Sequence, residues 1–138
     1  MASQVYPKFF DAAAEGDIDL LVDTIKAVLV DTAEYVFSNA HDFLDDVPAG
    51  ARVATGTLAS ITSAFTGDVW TFDAVNLTLT SVTGDPSEAV IFYKDSGVEG
   101  TSALISYNEL ASPVTPNGGN IELQFDASGI VTVDTTPA

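Results

Sequence analysis

Cysteine is absent from the 138 residues, which excludes disulfides and thiol chemistry and leaves no sign of the redox compartment. Cations are nearly absent too. Only Lys8, Lys26, Lys94 and Arg52 stand against twenty Asp and Glu, for a formal net charge of −16. No Lys/Arg patch is available to displace counterions from nucleic acid or to hold an anionic bilayer, so neither is an expected partner. Histidine occurs once, at His41. No nucleophile elbow supports a Ser-His-Asp arrangement, and no Gly-x-x-x-x-Gly-Lys phosphate loop occurs. An enzyme is therefore the least expected class, with no catalytic residues, no metal and no cofactor assigned. No apolar run approaches a membrane span, and the opening MASQVYPKFF lacks the basic flank and apolar stretch of a signal peptide.

What is present is apolar: 46% of the residues are hydrophobic, enough to argue against disorder despite the charge, and the length suits one domain over 1–138. Fourteen of the twenty acids are Asp. This balance, with Lys nearly missing, predicts a salt-adapted surface in preference to that of an ordinary acidic protein. At low ionic strength like charges repel over about 10 Å or more, whereas in molar salt the screening length falls to about 3 Å.

Along the chain, Tyr6, Phe9, Phe10 and Ala13 recur at helical spacing between Pro7 and Gly16, which predicts one short helix over residues 6–15. Ile25 to Val30 is apolar on both parities, as in a strand buried on both faces. The stretch SNAHDFLDD (38–46) offers Asn39 as a cap and a single helical turn carrying Phe43, Leu44 and Val47, stopped by Pro48. After Gly50 the pattern is β: Arg52–Leu58, Trp70–Phe72, Val75–Thr80, Ala89–Tyr93, Leu104–Tyr107, Ile121–Phe125 and Ile130–Val133. Val75, Leu77 and Leu79 oppose Asn76, Thr78 and Thr80, and Ile121, Leu123 and Phe125 are expected to face inwards. The strongest turn signal is PVTPNGGN (113–120). About eight short strands after one helix predict a mainly β fold, an antiparallel sandwich or barrel.

Three constellations invite chemistry. His41 and Asp45, four residues apart beside Asp42 and Asp46, have the spacing of paired metal ligands, but a transition-metal site needs three or four, and a structural connector with a capping Asp is the simpler reading. Asp68, Asp73, Asp85, Asp95 and Asp126 lie at turns without an Asp-x-Asp-x-Asp-Gly loop, so specific calcium binding is not expected. Asn76-Leu77-Thr78 is a glycosylation triplet within an expected strand, read as an unmodified strand residue. Trp70 and Phe72 are assigned to the core or to a subunit contact.

Four blocks, DTIKAVLVDTAEY (23–35), HDFLDDVPAGARVAT (41–55), FDAVNLTLTSVTGDPSEAVIFYKDSG (72–97) and PVTPNGGNIELQF (113–125), resemble, in the same order, a family of small virion-associated proteins of tailed viruses. The resemblance covers most of the chain after Asp19. It implies a β-rich structural protein located in the virion, with capsid decoration or cement as the first role and a tail or head-tail component as the second. A free carbohydrate- or calcium-binding sandwich module acting in adhesion is the competing class. The implied partners are the major capsid protein or other virion proteins, and the implied state is a homo-oligomer with a trimer favoured. The chain departs from the family in its shortage of Lys and its polar end VTVDTTPA, which fits a virus of halophilic archaea. The aromatic segment with Tyr6, Phe9 and Phe10 lies outside the blocks, as a lid on the sandwich or an attachment surface, with PNGGN (116–120) the next candidate for docking.

Overall fold

The computed structural model of the protein describes residues 3–137. Among them, strands β1 (Ser3–Val5), β2 (Ile25–Val30), β3 (Arg52–Thr57), β7 (Ser87–Lys94) and β8 (Leu104–Val114) form a five-stranded sheet in the order β1-β8-β7-β2-β3. A second layer is split in two. Strands β4 (Thr62–Thr66), β5 (Val69–Asp73) and β10 (Val131–Asp134) pair in the order β10-β5-β4, and β6 (Leu77–Leu79) pairs with β9 (Ile121–Leu123). Every pairing is antiparallel, and one helix, α1 (Lys8–Ala14), precedes β2. The fold is the mainly β antiparallel sandwich expected from the sequence.

The five-stranded sheet is apolar on both faces, for the reason visible in IKAVLV and AVIFY. On one face Ala27, Leu29, Val90, Phe92 and Ile105 pack against Phe72, Leu79, Leu123 and Val131 of the second layer, with Phe9 and Ile18 at its side. On the other, Val28, Val30, Ile91, Tyr93 and Tyr107 are covered by Tyr6, Tyr35, Leu44, Val47 and Ala51, mostly from the connector between β2 and β3. That connector lets a strand be apolar at every position. A bulge serves the same end in β8: Phe92 pairs with Ser106 and Tyr93 with Leu104, so the extra residue Ile105 turns into the inter-layer core beside Phe92. The second layer closes directly onto Gly56 of β3, where a Cβ would lie 2.8 Å from a Leu79 methyl and 2.9 Å from one of Leu77.

Several expectations are corrected. Strands β1 and β4 were not expected, because SQV is too short to carry a period and TSAFT is exposed along its whole length. Strand β6 begins at Leu77, so Val75, expected inwards, is exposed. Asn76 therefore precedes the strand, where its Oδ1 accepts the Phe125 N–H at 2.9 Å. The turn at Leu44–Asp46 opens at Phe43, and Asn39, exposed upstream, does not cap it. Leu123 is buried as expected, but Ile121 and Phe125 on the same parity are only half-buried, since β9 ends at Leu123.

Candidate functional site

The helix of seven residues divides its two aromatics by geometry alone, because neighbours on a helix point about 100° apart. Phe9 goes into the core and Phe10 is left 50% exposed. The segment read from the sequence as a lid or an attachment surface is thus divided: Tyr6 and Phe9 close the core, and Phe10 faces out. Phe9 stacks on Trp70 of β5, ring centroids 6.3 Å apart, which ties the helix to the small three-stranded sheet. Trp70 is half-buried, and its indole N–H donates to Ser63 Oγ at 2.8 Å, so its one polar group is engaged and its ring orientation set. Directly across the strand pair from Trp70 lies Phe65, 64% exposed.

The chain leaving α1 completes this surface. Between Asp19 and Asp23 a turn is locked by paired carboxylates: Asp23 Oδ2 accepts the Asp19 N–H at 2.7 Å, and Asp19 Oδ1 accepts the Leu21 N–H at 3.0 Å. The first of these bonds, with help from Lys94, holds the Asp23 carboxyl below its ordinary range. The locked turn leaves Leu21 63% and Val22 80% exposed. A groove of about 570 Å³ runs between α1, this turn and the β4–β5 pair, floored by Phe9, Ile18 and Trp70 and edged by Phe10 and Leu21. Of the exposed apolar residues, Phe10 and Leu21 line the groove, whereas Val22 and Phe65 do not. Of the acids exposed on α1 and the segment that follows it, Asp19 borders this groove, whereas Asp11, Glu15 and Asp17 line a separate cavity with Lys8 and Lys94.

The histidine cluster is structural. His41 Nδ1 meets the Tyr35 hydroxyl at 2.8 Å, and Tyr35 meets the buried Tyr6 hydroxyl at 2.7 Å. Burial pushes the Tyr35 phenol up to about 12 and the Tyr6 phenol further in the same direction, so both stay neutral and the chain of hydroxyls braces the connector against the sheet. Asp45 is exposed on the neighbouring turn, and Asp46 reaches back to accept the backbone N–H of Asp42 at 2.9 Å. That bond from Asp42 holds the Asp46 carboxyl below its ordinary range. A depressed carboxylate contributes stability that is present above the unfolded value near pH 4 and is lost as pH falls through the folded one. Asp46→Asn is accordingly expected to cost about 1 kcal/mol at neutral pH and to flatten the acid limb of a stability-against-pH curve, read by urea unfolding at stepped pH. An unchanged acid limb would remove Asp46 from the set of groups that drive acid unfolding.

Three of the five turn carboxylates are spent locally. Asp95 pairs with Lys26 at 2.8 Å and accepts the Gly97 N–H, Asp126 accepts both the N–H and hydroxyl of Ser128, and Asp73 accepts the Ala74 N–H. Among the described residues no three of His, Asp and Glu gather as metal ligands. The 116–120 loop is pinned rather than free, through Gly118 N–H to Val82 O at 2.7 Å and Val82 N–H to Gly119 O at 2.9 Å. Among the described residues no helix is long and apolar enough to cross a membrane.

Sequence reasoning found Phe10 and Trp70 but missed Leu21, Val22 and Phe65. The signals were local: an apolar run of Leu20, Leu21 and Val22 held between Asp19 and Asp23, and one aromatic in a strand whose other residues are Thr, Ser and Ala. No family model matches the chain, and no curated protein matches it either.

Proposed function

We propose that the protein is a structural component of the virion of a tailed virus, a capsid decoration protein docked in many copies on the outer lattice in a salt-rich medium. The observation that carries this reading is the collinear resemblance of the four blocks. In the fold those blocks take up β2, β6, β7, β9 and most of β3 and of the connector, strands of both layers. The exposed apolar residues Phe10, Leu21, Val22 and Phe65, with Trp70, fall outside all four. A shared framework carrying a private surface suits a protein that attaches to one particular lattice. Many copies on a repeated surface also let a modest single contact hold well, since linked sites raise one another's effective concentration. In this reading the threefold grouping expected for the copies follows the symmetry of the lattice they sit on.

The test is quantitative mass spectrometry and immunogold labelling of particles purified through a density gradient. The expected result is a copy number comparable with that of the major capsid protein and label spread over the head. Label confined to the tail would replace decoration with a tail role, and absence from purified particles would end the virion reading.

A further inference from the structure

We infer that the gap between the two halves of the second layer, above Asn108 of β8, is a binding site for a small neutral molecule with one hydroxyl donor on an apolar body, an aliphatic alcohol in chemical class. Strands β9 and β10 belong to different sheets and do not pair with each other, so the layer opens between them. A cavity of about 80 Å³ lies in that opening. Its walls are Val90 and Phe92 of β7, Leu110 of β8, Leu123 and Phe125 at and beyond the end of β9, and Ile130 just ahead of β10. Asn108, 1% exposed, is the one buried polar residue that lines it.

Asn108 lies opposite Val90 in the pairing of β7 with β8, so both side chains share the face turned to the second layer. Its Nδ2 donates to the Ile130 carbonyl at 2.8 Å, which fixes the orientation of the amide, since a carbonyl can only accept. The Oδ1 is left buried and accepts no hydrogen bond among the described residues. An acceptor shut away from water and unbonded is costly, so the site gains from any donor brought to it. The other buried oxygen without a partner, Ser106 Oγ, does not line the cavity and sets no condition on the occupant.

The occupant must donate, because the free atom is an acceptor. It must be neutral, because the apolar walls would strip a charge of its water and because Glu122 and Asp126, exposed at the rim, repel an anion. It must be small, because a cavity of roughly 150 Å³ admits benzene and this one is about half that size, with room for about three to five heavy atoms. Water is held poorly here, since it needs about two to four polar partners and the buried side chains of the walls offer one. Replacing such a water by an apolar body favours binding. None of these requirements depends on the virion reading.

The compounds sec-butanol and butanone share a carbon skeleton and differ in what they offer Asn108: the alcohol donates and the ketone only accepts. The isotope-labelled full chain is titrated with each, while NMR follows the Asn108 side-chain amide and the Leu123 and Ile130 methyls. The expected result is saturable shifts of these signals with sec-butanol and binding of butanone weaker by about tenfold or more, because its oxygen would face that of Asn108 with no hydrogen between them. Asn108→Leu is expected to abolish the preference between the two compounds. Leu110→Trp, at a half-buried position, fills the cavity and is expected to remove both responses, which keeps the test open if the Asn108 variant is less stable. Equal binding of the two compounds to the wild type, shifts that never saturate, or a preference that survives Asn108→Leu would overturn the inference. So would a nuclear Overhauser effect from a bound water to the Asn108 amide that persists at the highest alcohol concentration, because the cavity would then be a hydration site only.

Discussion

Replacing Phe92 with alanine is expected to cost about 3–5 kcal/mol, a large part of the roughly 5–15 kcal/mol that stabilises a domain of ordinary size. Phe92 stands on the middle strand of the five-stranded sheet, is 1% exposed, and sits edge-on to the rings of Phe72 at 6.2 Å and Phe125 at 5.7 Å. Its removal leaves a void between two layers that cannot collapse, since β7 is hydrogen-bonded to β2 on one side and β8 on the other. Phe125→Ala offers the internal comparison. That ring touches the same core but is half-buried beyond the end of β9, so its loss is expected to cost under about 2 kcal/mol, because a void at the rim is filled by water and by movement of the loop. Urea unfolding of both variants with unchanged slope checks the ranking. A Phe125 variant as damaged as the Phe92 one would show that the seam between β9 and the large sheet is closed to solvent.

The second large effect is that of salt. Moving the protein from dilute buffer to molar NaCl or KCl is expected to raise its melting temperature by about 10 °C or more, the equivalent of about 2–3 kcal/mol. Two opposing effects decide the sign. Salt weakens the four ion pairs, but all are at least partly solvent-accessible, and pairs of that kind contribute about 0–1 kcal/mol each. Against this stands the excess of sixteen negative charges on a domain whose expected radius of gyration is about 14 Å. At about 0.01 M salt the screening length is about 30 Å and every carboxylate repels every other across the molecule, whereas at about 1 M it is about 3 Å and only touching neighbours interact. Relief of the many repulsions outweighs loss of the few attractions. A melting temperature that stays flat or falls over this range would place the ion pairs above the net charge in the stability of the fold, and calorimetry across a salt series reads it directly.

Composition and spacing were enough to determine the fold class, the two-sided burial of IKAVLV, the apolar strand AVIFY, the short helix ending before Gly16, and the excess of charge. Each of these depends on local period or on a count, and burial on both faces of a strand leaves apolar residues on both parities whatever covers it. The division of labour within the aromatic segment was decided only by tertiary structure. Nothing in YPKFF tells which ring turns inwards until Trp70, sixty residues later, is brought against Phe9. The same holds for the groove that Phe10 shares with Leu21 and Trp70: segments far apart in sequence line it together because the β4–β5 pair folds back beside α1. The fate of the cations also lay beyond the sequence, which counts four but cannot show that each meets a carboxylate, as when Arg52 reaches Glu99 across 47 residues while donating to the carbonyls of Leu44 and Val47. Local pattern specifies which residues must leave water, but which apolar residues stay in it depends on what the rest of the chain is long enough to cover, and that is settled by packing.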